Sequence, residues 1–156
     1  GTYYHADSAY CEPRPDPAIP IMVGTNGPKA LGVTARHADW WNWDGPWEQT
    51  YMGPYEILRQ HCEAIGRPFE EITLTSGVTV WMPDDPAEFE PTYEHRFYPG
   101  QTFHVLGPTP EDVIREVELL VDHGVQHFQA AFADEPTLDR FIRDVVPNLR
   151  LHPASV

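Results

Sequence analysis

Four times along the chain, a short apolar run is followed by a longer stretch with helical spacing. The first run is "IPIMVG", residues 19–24, and it ends in glycine. Strands covered on both faces, as in parallel sheets, read as continuous apolar runs of this kind. "TNGPKALGVTARHA" follows. Asn26 or Gly27 can cap a helix there, Pro28 suits its first position, and Ala30, Leu31, Thr34 and Ala35 make one compact face. A second strand is expected from Asp39 through "DWWNW". "PYEILRQHCEAIG" is the next helix, opened by Pro54 and closed by Gly66, with Tyr55, Leu58, Cys62 and Ile65 at helical spacing. "EEITLTSGVTVW" then predicts a strand through Ile72, Leu74, Val78 and Val80.

The strongest helix signal is "TPEDVIREVELLVDHG". Thr109 is its N-cap, Pro110 its first residue, and Glu111 and Asp112 complement the helix dipole. Val113, Val117, Leu120 and Val121 form the inward face, and Gly124 ends it. "VQHFQAAF" is the last strand. "PTLDRFIRDVVPNLR" is the last helix, with Leu138, Phe141, Ile142 and Val145 expected inward. Residues 82–106, rich in proline and acids, read as a long loop after the third strand. Residues 12–20, "EPRPDPAIP", read as an extended connector because proline fixes φ and lacks an N–H.

Strand and helix therefore alternate through four units within one domain, residues 1–156, with strands beginning near Ile19, Asp39, Ile72 and Val125. This order implies parallel strands joined by crossover helices. Two architectures accommodate it. One is an open doubly wound sheet of flavodoxin type, binding a flavin at a switch point. The other is a (β/α)8 barrel, of which four units make half.

Composition narrows the functions. The net charge is −14, from 24 acidic and 10 basic residues, which disfavours nucleic acid and anionic membrane surfaces as partners. No apolar run is long enough to span a bilayer, and no signal-peptide pattern opens the sequence. Cys11 and Cys62 are the only cysteines and read as free thiols of a reducing cytoplasm. They are too few for a zinc site, and the eight histidines lack metal-ligand spacing, so no metal is expected. No nucleophile elbow, P-loop or dinucleotide-binding glycine pattern occurs. The chain begins Gly1-Thr2-Tyr3-Tyr4 without a methionine and reads like the middle of a longer protein or a processed chain.

"PIMVGTNGPKALGVTARHADWWN", "LRQHCEAIGRPFEEI", "GPTPEDVIREVELLVDHGVQHFQ" and "LDRFIRDVVPNLR" occur in this order. Together they resemble the C-terminal half of a luciferase-like monooxygenase, a member of the bacterial-luciferase superfamily of flavin- or deazaflavin-dependent oxidoreductases. The lead-in "GTYYHADSAYCEPRP" also resembles what precedes these segments in that family. The resemblance implies an α/β fold: the C-terminal half of a (β/α)8 TIM barrel, four parallel strands with crossover helices. It implies FMN or coenzyme F420 as cofactor. It also implies that the usual catalytic residues, and most of the pocket around the flavin ring, lie in the other half. The expected role is to supply cofactor-tail and substrate-loop contacts without independent activity. The alternative is a truncated, non-catalytic binding or oligomerisation module of the same fold.

Chemistry-bearing residues are few. Gly24, Thr25, Asn26 and Gly27 lie between a strand end and a helix start, where backbone N–H groups and the helix dipole favour an anion. By resemblance this loop lies against the cofactor; without it, the loop is an ordinary β/α turn. Residues 38–42 match the family's Ala-Asp-Gly-Trp-Asn pattern, except that Trp40 stands at the glycine and would crowd a cofactor or substrate. On a strand, Trp40 and Asn42 face one side while Trp41 and Trp43 face the other. Trp43 and Trp47 are read as lying past the strand end on the rim, where ligand, partner and packing roles all stay open. Asn42, Trp43, His95 and His104 are the substrate-loop candidates, and no catalytic residue is assigned. His37, His61 and His123 read as structural.

Half a parallel barrel leaves two edge strands, near Ile21 and Phe128, and an inner face unpaired. A homodimer, or a complex with a complementary N-terminal half-barrel chain, is therefore the expected assembly, around a small-molecule substrate.

Overall fold

The computed structural model describes residues 2–5, 7, 10, 12–43, 51–94, 100 and 102–150. Four parallel strands form its frame: β1 (Met22–Gly24), β2 (Trp40–Trp43), β3 (Thr73–Val80) and, in fourth place, β6 (His127–Phe132). Helix α1 (Pro28–His37) joins the first pair and α2 (Met52–Ile65) lies between β2 and β3. Helix α3 (Pro110–Asp122) precedes β6, and α4 (Glu135–Arg140) follows it. The flavodoxin-type order of an open sheet is not formed: the strands run β1-β2-β3-β6 in chain order, as in one half of a (β/α)8 barrel.

Register separates the two faces. Trp41 pairs with Leu74 and Trp43 with Ser76, and all four lie under the helices. Trp40 pairs with Thr73 and Asn42 with Thr75, on the concave side. The expected split of the tryptophans is thus realised, because successive strand residues point to opposite faces. Trp41 is fully buried; its ring stacks on Tyr51 at 5.6 Å and lies 6.1 Å from Trp43. Burial holds the Tyr51 phenol well above the ordinary tyrosine range. Ile72, Leu74, Val78 and Val80 are buried as their spacing predicts, with Leu31, Ala35, Leu58, Cys62, Val113, Val117 and Leu120 facing them.

The helix boundaries follow local chemistry. Thr109 Oγ1 accepts from Asp112 N–H at 3.2 Å and donates to the Asp112 carboxylate at 2.7 Å, with Pro110 at the first position. Gly66 closes α2 in the left-handed region, φ +70°, which favours glycine. Gly32 lets α2 approach α1: a Cβ there would meet the His61 ring at 3.3 Å. That ring is held to the Pro28 carbonyl at 3.0 Å. His123 Nδ1 lies 2.8 Å from the Leu119 carbonyl at the end of α3. Both histidines are structural, as their positions suggested.

Three expectations are corrected. The first apolar run is strand only over Met22–Gly24, and Ile19 and Ile21 are exposed, because β1 pairs on one side alone among the described residues. Residues 82–106 are more than a loop. They hold a 3-10 turn, Pro86–Glu88, and an antiparallel hairpin of β4 (Thr92–Glu94) and β5 (Thr102–Leu106). Val105 and Leu106 of β5 continue the sheet beside Thr79 and Val80, along the stretch of β3 that lies beyond β2. The last helix is also shorter than its pattern. After Arg140 the chain widens into a π turn, Phe141–Val145, which shifts the later side chains. Val145 is buried and Phe141 packs edge-on against Phe132 at 5.1 Å, but Leu138 and Ile142 are exposed.

Candidate functional site

In parallel β/α folds, sites form at the carboxyl ends of the strands. Here those ends surround an open depression of about 360 Å³. Asn42 of β2, Gly77, Val78 and Thr79 of β3, and Gln129, Ala130 and Ala131 of β6 line it on the strand side. The hairpin supplies Tyr93, Phe103 and His104. Gly77 has no side chain and the β6 wall includes two alanines, so the strand side stays shallow and wide.

The polar groups are held from behind. Thr75 Oγ1 lies 2.8 Å from Asn42 Oδ1 and 3.2 Å from the Trp41 carbonyl. Its single hydroxyl proton goes to the shorter contact, which fixes the orientation of the Asn42 amide. His104 Nε2 lies 2.6 Å from Glu116 Oε2, a side chain reaching across from α3. A ring nitrogen this close to a carboxylate donates its proton to it. Tyr93 and Phe103 stack at 5.7 Å and 27° on the hairpin beside them.

The Gly24–Gly27 loop adjoins this depression, since Gly24 pairs with Asn42 in register. The Trp41 indole N–H donates to the Thr25 carbonyl at 2.8 Å, so the buried tryptophan holds the loop from below. Gly27 is the N-cap of α1. It offers no side-chain acceptor, and no acid occupies the first turn. A Cβ added at Gly27 would meet nothing within 4 Å, so the space before the helix is open.

The candidates therefore divide. Asn42 and His104 line one depression, with Gly24–Gly27 alongside. Trp43, read from sequence as a rim residue, is instead the last residue of β2. It is buried on the opposite face, where its side chain helps fill the space under the helices. His95 and Trp47 lie outside the described residues. Trp40 sits at the start of β2 with its ring 5.1 Å from His127, one pleat below Asn42. It does not line the depression, so the crowding expected from its replacement of glycine falls at the barrel base. Sequence reasoning missed Glu116, Gln129 and Phe103. Glu116 is separated from His104 by 12 residues and a turn, and nothing local marks the pair. Among the described residues, no group of three or more His, Cys, Asp or Glu side chains could hold a metal ion.

Four parallel β/α units with a depression at their carboxyl-end rim define half of a (β/α)8 barrel fold. The chain belongs to the luciferase-like monooxygenase family, whose model matches residues 1–141. No curated protein matches it. Among solved structures it is similar to the long-chain alkane monooxygenase LadA, at 17% identity and TM-score 0.65, over 92% of this chain and 45% of that one. It is also similar to the coenzyme F420-dependent tetrahydromethanopterin reductase from Methanopyrus kandleri, at 13% identity and TM-score 0.70, over 96% and 57%. A third is the riboflavin lyase RcaE, solved with modified FMN and riboflavin, at 12% identity and TM-score 0.62, over 94% and 46%. The chain thus spans about half the length of these structures. No helix among the described residues is long and apolar enough to cross a membrane.

Proposed function

We propose that this chain forms the cofactor-tail and substrate-loop side of a luciferase-like oxidoreductase that takes FMN or coenzyme F420. The observation that carries this reading is the open α1 N-terminus beside the Asn42 depression. The residues fit a phosphorylated flavin or deazaflavin. The loop has glycines at Gly24 and Gly27, its helix start lacks an acid, Lys29 lies in the first turn, and open space precedes Gly27. Main-chain N–H groups of the first turn, together with the helix dipole, would hold an anionic tail there. When bound, the cofactor supplies the redox chemistry. The chain's own residues position it: Trp41 anchors the Thr25 carbonyl, and Thr75 orients Asn42 toward the reacting side.

Catalysis belongs to a completed barrel. β1 pairs only with β2, and β6 only with β3, so each keeps one edge without a partner among the described residues. Apolar side chains flank both edges: Ile19, Ile21 and Met22 at one, and Leu138, Ile142 and Val146 on the element after the other. The complement is an N-terminal half-barrel, or a second copy. A two-fold axis along the barrel would set β6 of each copy parallel to β1 of its partner, making two identical seams. The charge of −14 per copy opposes this, but salt screens it beyond about 10 Å.

Fluorescence titration of the chain with FMN and with riboflavin, and with coenzyme F420 and its unphosphorylated chromophore, tests the reading. Tighter binding of the phosphorylated member of one pair is expected, and Asn26→Asp should weaken it about tenfold by placing an anion at the site. Equal affinity for phosphorylated and unphosphorylated forms rules the loop out. Turnover by highly purified chain alone, lost on substitution of one of its own residues, contradicts the need for a complement.

A further inference from the structure

The hairpin and β6 flank β3 on opposite edges: Thr79 pairs with Val105 on one side and with Ala131 on the other. The width of the depression between these two walls therefore depends on what holds the hairpin to the β6 side. The chain leaves the sheet after Trp81 and returns at Leu106, and the Trp81 N–H donates to the Leu106 carbonyl at 3.0 Å across this neck. Met82 and Pro83, the first residues beyond the neck, are buried. Buried backbone groups need partners, and α4, the helix after β6, supplies them. The Met82 N–H donates to Thr137 Oγ1 at 3.2 Å. Arg140 Nη1 donates to the Met82 carbonyl at 2.9 Å and to the Pro83 carbonyl at 3.1 Å, and Nη2 donates to the Asp84 carboxylate. Thr137 and Arg140 are three residues apart, so both reach the neck from one face of the helix. Asp84 is exposed, and an exposed ion pair holds little. The two buried carbonyls carry the hold.

We propose that Arg140 is a positioning residue for the substrate side of the site. Its planar, forked guanidinium fixes the root of the hairpin against α4, and so sets the width of the depression that a substrate must enter. It does not line the depression and acts only through the Met82 and Pro83 carbonyls. The inference rests on the oxidoreductase reading for calling this depression the substrate side. The geometry is measured without cofactor, so it stands or falls separately from the flavin titration.

The test reads the distance between the two walls. In a Cys11→Ser background, with Cys62 buried, nitroxide labels are placed at Thr92→Cys on β4 and Glu135→Cys on α4, and their separation is measured by double electron–electron resonance. The chain with Arg140 intact should give one narrow distribution. Arg140→Met should broaden it about twofold, because the neck then opens locally. Arg140→Lys, which keeps the charge and loses the fork, should fall between the two. Arg143→Met is the control, since Arg143 pairs with the neighbouring Asp144, and it should leave the distribution narrow. Hydrogen exchange of unlabelled Arg140→Met should quicken about tenfold at Met82 and Val105 and stay unchanged at Leu58 and Cys62 in α2. An unbroadened distribution in Arg140→Met, equal broadening in Arg143→Met, or an equal rise in exchange at Leu58 and Cys62 overturns the proposal. If Arg140→Met does not fold, Arg140→Lys decides: a distribution as narrow as that with arginine overturns it.

Discussion

Trp41→Phe tests the link between core and site most economically. The phenyl ring keeps the stack on Tyr51 but removes the indole N–H, whose only acceptor shown here is the Thr25 carbonyl at 2.8 Å. Loss of such a hydrogen bond costs about 1 kcal/mol net, and more where the carbonyl stays away from water. The lost ring atoms leave a cavity. Complete truncation of a buried Trp or Phe to Ala costs about 3–5 kcal/mol, and retaining a phenyl group saves more than half of that. The sum is a destabilisation of about 2–3 kcal/mol, or about 5–10 °C in Tm for a chain of this size. Urea unfolding at fixed protein concentration should show a lower midpoint with an unchanged slope. Hydrogen exchange should quicken at Thr25, Asn26 and Gly27 and stay unchanged at Leu58 and Cys62 in α2. A loss below about 0.5 kcal/mol, with exchange in the loop unaltered, would refute the claim that this tryptophan holds the loop.

Three further outcomes follow from the same geometry. Gly107→Ala should destabilise the chain by about 3 kcal/mol in chemical unfolding, since its Cβ would lie 2.1 Å from the Trp81 carbonyl and 2.6 Å from the Phe89 ring; an alanine variant of native stability would show that the close approach is relieved cheaply. Trp40→Gly, which puts in the residue that the resemblance implies at this position, should change flavin affinity by less than about twofold, because Trp40 lies at the start of β2, away from the depression; a tenfold gain would place the ring in the cofactor's path. The Asp134 carboxyl is held below its usual range, first by hydrogen bonding with Thr137, whose N–H donates to it at 2.7 Å. A depressed native value means its stabilisation is complete above the unfolded Asp pKa of about 3.9 and disappears as pH falls through the native value. Asp134→Ala should therefore cost about 1 kcal/mol at neutral pH and less under acid, measured as unfolding midpoint against pH; a loss that stays constant into acid would contradict the capping role.

Much of the fold was legible because local signals agreed with tertiary demands. Thr109, Pro110 and Gly124 bracket α3 in the sequence as they do in the structure, and the period-2 apolar positions of β3 are those that meet the helices. The hairpin was hidden because prolines and acids dominate residues 82–106, while its strands are only Thr92–Glu94 and Thr102–Leu106. Ile142 misled because the helical period breaks at the π turn, which no residue type announces. Site residues were legible where they rest on one element, as with Asn42 and the Gly24–Gly27 loop. The His104–Glu116 pair was not, since it joins a strand to a helix across a turn and depends wholly on tertiary placement.

We propose half of a barrel whose rim holds a phosphorylated flavin once the other half is in place. Sedimentation velocity of the pure chain with FMN, followed at both the protein and the flavin absorption bands, addresses that claim in one measurement. The predicted result is an associated species carrying flavin absorbance, with the flavin signal lost when riboflavin replaces FMN. A compact 17.8 kDa monomer that sediments without flavin across the concentration range would contradict it.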